Sequence, residues 1–107
     1  MEQRIPPQNV EAEQAVLGAM LLSHDAVIVA MEKLQPRDFY RDAHRIIFEA
    51  MEHLHRENKE IDVITLPEEL NRMKKMDDVG GVGYVLNLPN MVGTASNAEY
   101  YANIVVE

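Results

Sequence analysis

The chain has 107 residues and carries 10 Lys and Arg against 18 Asp and Glu, a formal net charge of −8. With 47% hydrophobic and 26% charged residues it has a globular balance and length enough for one domain with one modest core. The lack of cysteine excludes disulfide frameworks, thiolate zinc sites and cysteine nucleophiles, and the longest apolar run, Ala15 to Leu22, falls well short of the roughly 18 residues a membrane-crossing helix needs.

Residues 1–8 read as an extended arm, because Pro6-Pro7 disfavours helix in the residue before each proline. The arm has no signal-peptide core and no Arg-rich transit pattern, so a soluble, cytoplasmic module is expected. Asn9 is a fair N-cap, and Glu11 and Glu13 suit the positive end of the helix that follows. Ala12, Ala15, Val16, Ala19, Met20 and Leu22 give that helix a wide apolar stripe. Gly18 lies within it at a cost of about 1 kcal/mol relative to alanine, which close approach of a neighbouring helix explains best.

Ser23 to Asp25 can cap a second helix, Ala26 to Leu34, with Val27, Ala30, Met31 and Leu34 inward, and Pro36 stops it. Residues 36–40 read as a short turn or a single helical turn, with Phe39 and Tyr40 assigned to the core. A third helix runs from about Asp42 to Glu57, with a stripe of Ala43, Ile47, Ala50, Met51 and Leu54 and with Phe48 also in the core. Arg45/Glu49 and Glu52/Arg56 are spaced to pair along it, and Asn58 is a C-terminal stop. Glu60 to Ile64 is the most strand-like run, but without a partner strand it reads as an extended connector. Thr65 to Glu68 has the pattern of a capping box, opening a helix with Leu66, Leu70 and Met73 inward. Gly80-Gly81 resets the chain. Two further segments, from Val82 to about Leu88 and from Asn97 to Val106, flank a loop, and Ser96 and Glu99 form a second capping pattern.

No constellation carries chemistry. Gly80-Gly81-Val82-Gly83 lacks the spacing of a dinucleotide loop and is followed by no Gly-Lys-Ser/Thr, so it reads as a helix C-cap and turn. His53 and His55 fall on different helix faces, and His44 and His55 lie about 16 Å apart at 1.5 Å rise per residue, so the histidines do not make a metal site. They read as surface or partly buried structural residues. Glu68-Glu69 and Asp77-Asp78 read as a helix N-terminus and a solvated turn. The acidic balance and scattered basic residues also oppose direct DNA binding, which needs clustered Lys and Arg to neutralise phosphates. The last two segments, however, are apolar on more than one face. Val82, Val85 and Leu86 share one face of the first, while Tyr84, Leu88 and Met91 point elsewhere. Ala98, Tyr101, Ala102 and Val105 form one stripe of the second, and Tyr100 and Ile104 another. Two such helices cannot bury everything on each other, so either the body of the domain or another subunit covers the rest.

Several runs resemble the N-terminal domain of bacterial replicative DNA helicases of the DnaB type. They are Pro6 to Gly18, Asp38-Phe39-Tyr40-Arg41 with Ala43-His44 and Ile47-Phe48, Ile61-Asp62-Val63 with Thr65-Leu66, Gly80-Gly81 with Tyr84, and Asn97 to Ala102 with Ile104-Val105. They follow the family's order over nearly the whole chain. The resemblance implies an all-α fold: a globular head of four to five helices over residues 9–78 and a two-helix hairpin over 82–106. It implies a scaffold whose hairpins pair between subunits, building a trimer of dimers above a hexameric ATPase ring, and whose surface docks the C-terminal helicase-binding domain of primase and affects the helicase loader. ATP and magnesium would then belong to a RecA-like C-terminal domain that this sequence does not include, leaving this domain without cofactor or catalysis of its own.

On that resemblance the expected self-association residues are Val85, Leu88, Met91, Tyr101, Ile104 and Val105, and the expected primase contacts are Tyr84 and Glu11. Two departures bear on the hairpin. Gly93 stands where the family usually has proline, and Pro89 falls inside the expected first hairpin helix, which should therefore end or bend near Leu88. The alternatives are the helicase-binding domain of primase, opposed by the Pro-Gln-Asn-Val-Glu-Ala-Glu-Gln arm, and an unrelated small helical module.

Overall fold

The computed structural model describes residues 7–92 and 97–106; the expected Ser96–Glu99 cap and the Gly93 loop lie outside them in whole or part. Six α-helices are present among the described residues: α1 (Pro7–Leu22), α2 (His24–Lys33), α3 (Asp42–Arg56), α4 (Thr65–Arg72), α5 (Gly81–Asn87) and α6 (Ala98–Val106). Short 3-10 turns at Pro36–Asp38, Asp77–Val79 and Leu88–Met91 link them. The all-α expectation holds.

Helix α1 is the hub. From Ala12 to Leu21 nearly every residue is buried, so the helix is wrapped on all sides rather than floated on one face. It packs against α2, α3, α6 and the Leu88–Met91 turn. It also begins earlier than expected. Pro7 and Gln8 are helical instead of part of the arm, since proline is tolerated in the first turn, where its missing N–H has no partner to lose. Leu22, placed in the apolar stripe, is 56% exposed because the helix ends there and the chain turns into α2. Ser23 caps α2, its hydroxyl accepting the Ala26 amide at 3.3 Å.

Gly18 has the close contact that its sequence position implied, though with a 3-10 turn rather than a helix. A Cβ there would collide with the carbonyl oxygen of Leu88 and lie 2.9 Å from its carbonyl carbon. The bare glycine lets the Leu88–Met91 turn lie against α1, and Leu88 is fully buried as a result.

Helix α3 buries His44, Ile47, Phe48, Ala50, Met51 and Leu54, and Phe48 meets Phe39 with ring centroids 5.1 Å apart. Tyr40 does not join this core; it is 57% exposed. Arg45 turns back rather than toward Glu49: its Nε donates to the Phe39 carbonyl at 2.9 Å, and its guanidinium pairs with Asp42. Asn58, at φ 59°, closes α3 as expected, the Lys59 amide reaching the Leu54 carbonyl at 2.9 Å and the Asn58 amide that of His55 at 3.0 Å. Lys74, at φ 62°, closes α4 in the same way, with Lys75 N–H on Leu70 at 2.9 Å.

The strand-like run at 60–64 is irregular and delivers the cap of α4. The expected capping pair, Thr65 and Glu68, is displaced by one turn, because Asp62 takes the role: its Oδ1 accepts the amides of Ile64 and Thr65 at 2.9 Å each, and its own amide donates to Thr65 Oγ1 at 3.0 Å. The Thr65 and Ile64 amides hold the Asp62 carboxyl below its ordinary value, against a smaller opposing effect of burial. A carboxyl lowered on folding stabilises the fold above its unfolded pKa, and this contribution is lost as pH falls through the folded value. Asp62→Ala is expected to lower stability by about 1 kcal/mol at neutral pH. It should also flatten the acid limb of the stability–pH curve measured by urea unfolding.

Glu69, read as part of a helix N-terminus, lies in α4 but with its carboxylate turned inward. It is 1% exposed, its Oε2 2.5 Å from His53 Nδ1 and its Oε1 paired with Arg72, which ties α4 to α3.

Pro89 has the predicted consequence: α5 ends at Asn87 and the chain continues as a 3-10 turn with proline in its first positions. The expected hairpin is organised differently. Helix α6 packs on α1 and α2, with Ala98 meeting Ala19 and Ala26, while α5 and α6 make at most marginal contact with each other. The face of α6 that carries Ala98, Ala102 and Val105 is thus covered by α1 and α2, while Tyr100 on the other face is 65% exposed.

Candidate functional site

The expected site residues divide by burial. Val85 and Leu88 are fully buried and Val105 is 7% exposed, all three within the main core. The expectation that these three form an intersubunit surface is corrected: α1 and its neighbours already cover them. Glu11, Met91, Tyr101 and Ile104, by contrast, come together from α1, the 88–91 turn and α6. With Ala12 and Ala15 they line a groove of about 270 Å³. Its floor is apolar and its exposed rim carries the Glu11 carboxylate. Such a surface suits an apolar anchor flanked by a positive charge. The family resemblance puts Glu11 in one set and the other three in another; the packing of α6 against α1 is what merges them.

Tyr84 lies half-buried in a different place, with its hydroxyl engaged. His44 is fully buried, and its Nε2 lies 2.7 Å from the Tyr84 hydroxyl, while its Nδ1 lies 2.7 Å from Glu13 Oε1. Gln14 Nε2 donates to the same hydroxyl at 3.0 Å. The rings of His44 and Tyr84 stack with centroids 6.0 Å apart and planes 11° from parallel. One proton arrangement satisfies every member: Gln14 donates to Tyr84, Tyr84 donates to His44 Nε2, and His44 Nδ1–H donates to Glu13.

Glu13 is the anchor of this chain. Only 2% exposed, it accepts the backbone amides of Tyr40 at 2.6 Å and Arg41 at 3.5 Å, just ahead of α3. The sequence reading gave Glu13 to the start of its own helix; the structure uses it to cap the next-but-one helix, where it meets the positive end of the α3 dipole. The result joins α1, α3 and α5 through Glu13, His44 and Tyr84. No local signal pointed to it, since Glu13 is 31 residues from His44 and His44 is 40 from Tyr84.

Two other surface features stand out. Val82 and Leu86 on α5 are 50% and 45% exposed, and Tyr100 and Val106 on α6 are 65% and 47% exposed. A cleft of about 430 Å³ opens where the α1–α2 corner faces the end of α3, lined by Leu22, Ile28 and Ile61 with His24, His55 and Lys59. Neither this cleft nor the groove is lined by Glu13, His44 or Tyr84. Among the described residues no three His, Asp or Glu converge to hold a metal, and no helix is long and apolar enough to cross a membrane.

Comparison with known proteins agrees with this architecture. The family described as "DnaB-like helicase N terminal domain" matches residues 5–107. The replicative DNA helicase DnaB of Geobacillus stearothermophilus is 48% identical over 105 residues, which is 98% of this chain and 23% of that protein. The replicative DNA helicase DnaC of Bacillus subtilis (strain 168) is 46% identical over 107 residues, 100% of this chain and 24% of its own length. The chain therefore spans about a quarter of these relatives. The crystal structure of the N-terminal domain of DnaB helicase from Mycobacterium tuberculosis superposes with a TM-score of 0.90 at 44% identity, covering 95% of this chain and 74% of that one. With sequence and architecture in agreement along its length, the chain belongs to the DnaB-like helicase N-terminal domain family.

Proposed function

We propose that this chain is the assembly and primase-docking domain of a hexameric replicative DNA helicase, acting in DNA replication and primosome formation in the cytoplasm. The domain itself performs no catalysis and holds no cofactor; ATP and magnesium act in a C-terminal ATPase domain, and the helicase loader is a further partner. The observation that carries the docking reading is the groove formed by Glu11, Met91, Tyr101 and Ile104. Its apolar floor takes a side-chain anchor from the helicase-binding domain of primase, and Glu11 selects for a neighbouring cation. Met91, Tyr101 and Ile104 also remain the residues through which we propose self-association. One groove cannot hold both occupants, so the two associations compete for it.

Titration of the C-terminal helicase-binding domain of primase into this chain tests the reading. Glu11→Lys and Ile104→Ser are each expected to weaken binding about tenfold, a loss of roughly 1.4 kcal/mol. Circular dichroism and melting temperature should hold for Glu11→Lys, since that side chain is exposed. Sedimentation across a concentration series should show Ile104→Ser reducing self-association and Glu11→Lys leaving it. Unchanged primase affinity in both variants would remove the groove from the docking surface.

A further inference from the structure

Helix α5 is attached to the fold by very little. Gly80 and Gly81, at φ 102° and 89°, lead into it, and it gives way to the 3-10 turn at Leu88-Pro89. Of its seven residues only Val85 is fully buried. It packs chiefly against the two short turns that flank it in sequence. Its remaining ties to the body are the Tyr84 ring, stacked on His44, and the Tyr84 hydroxyl, held by His44 Nε2 and Gln14 Nε2. The next turn is anchored firmly, with Leu88 buried against Gly18. A weakly held element thus lies between a left-handed Gly-Gly entry and a fixed exit.

We infer that α5 is a hinged flap, latched by Tyr84 to His44 and Gln14, which opens as a unit while α1, α3 and α6 stay folded. Opening releases the Tyr84 ring with its hydroxyl and one buried valine, and uncovers His44 Nε2. A seven-residue helix detached from its support does not persist in water, so release also unwinds it and frees its amides. The outer face of the flap carries Val82 and Leu86, half-exposed and available while the latch is closed.

Native-state hydrogen exchange of this chain in increasing urea, without any partner, tests the flap. The amides of residues 85–88 are expected to exchange through an opening of lower free energy, and shallower urea dependence, than those of α1 and α3. Tyr84→Phe keeps the ring and removes the hydroxyl, and should speed exchange at 85–88 roughly two- to tenfold. Gly83→Ala adds a methyl that meets no atom within 4 Å and strengthens the helix alone, so it should slow the same amides about fivefold. Exchange of 85–88 in step with α3, at the same opening free energy and urea slope, would overturn the inference, as would unchanged rates in both variants.

Discussion

Gly18→Ala is expected to destabilise the domain by about 3 kcal/mol, a fall in melting temperature of roughly 15 °C for a chain of this size. Helix propensity taken alone gives the opposite sign, a gain of about 1 kcal/mol from removing a mid-helix glycine. The contact decides between them. The new methyl would be driven into the Leu88 carbonyl, which is backbone and cannot swing aside like the end of a flexible side chain. Relief requires the Leu88–Met91 turn to move off α1, which uncovers Leu88 and disturbs the groove at Met91. Thermal unfolding of the variant checks the magnitude, and a stability equal to or above that of the parent would show that the turn can yield. Gly83→Ala is the internal control, because the same substitution in the open space of α5 carries only the propensity gain.

Glu13→Ala carries the second large effect, also about 3 kcal/mol. It strips the acceptor from the Tyr40 and Arg41 amides and from His44 Nδ1 at once, in a site from which water is largely excluded. Each buried donor left without a partner costs about 1–3 kcal/mol, and partial relaxation or water entry keeps the sum below three full penalties. Glu13→Gln should fall between the two, because the amide retains one acceptor oxygen and sets an NH2 group against donors. Urea unfolding measures both variants. A double-mutant cycle of Glu13→Gln with Tyr84→Phe should show coupling above 0.5 kcal/mol, since His44 transmits between them. A Glu13→Ala variant within 1 kcal/mol of the parent would mean that the α3 terminus finds another acceptor.

Much of the fold was legible along the chain. Ser23 announced α2, Asn58 the end of α3 and Pro89 the end of α5, because each acts on backbone groups within a few residues of itself. The tight contact at Gly18 was readable as a need for space, though not as the Leu88 carbonyl that occupies it. Buried polar residues were misread. Glu13 and Glu69 look in sequence like ordinary acids near helix starts, yet both are almost wholly enclosed, paired with histidines from another helix. The same holds for Tyr40, whose amide serves the interior while its ring faces solvent.

The groove shows this division most directly. Periodicity established that α6 has more apolar surface than one neighbour can cover, and that enclosing it requires something beyond the adjacent helix. Which side chains remain at the surface depended on the direction from which α1 and α2 approach. That approach buries Ala98, Ala102 and Val105 and leaves Tyr101 and Ile104 beside Glu11. Sequence by itself determined the helices, several of their ends and the helical class, since caps, prolines and apolar spacing act locally. The burial of Val85 and Leu88, the capture of the Tyr84 hydroxyl and the union of Glu11 with Met91 were decided only by tertiary packing, because each depends on distances between residues dozens of positions apart, which no local pattern encodes.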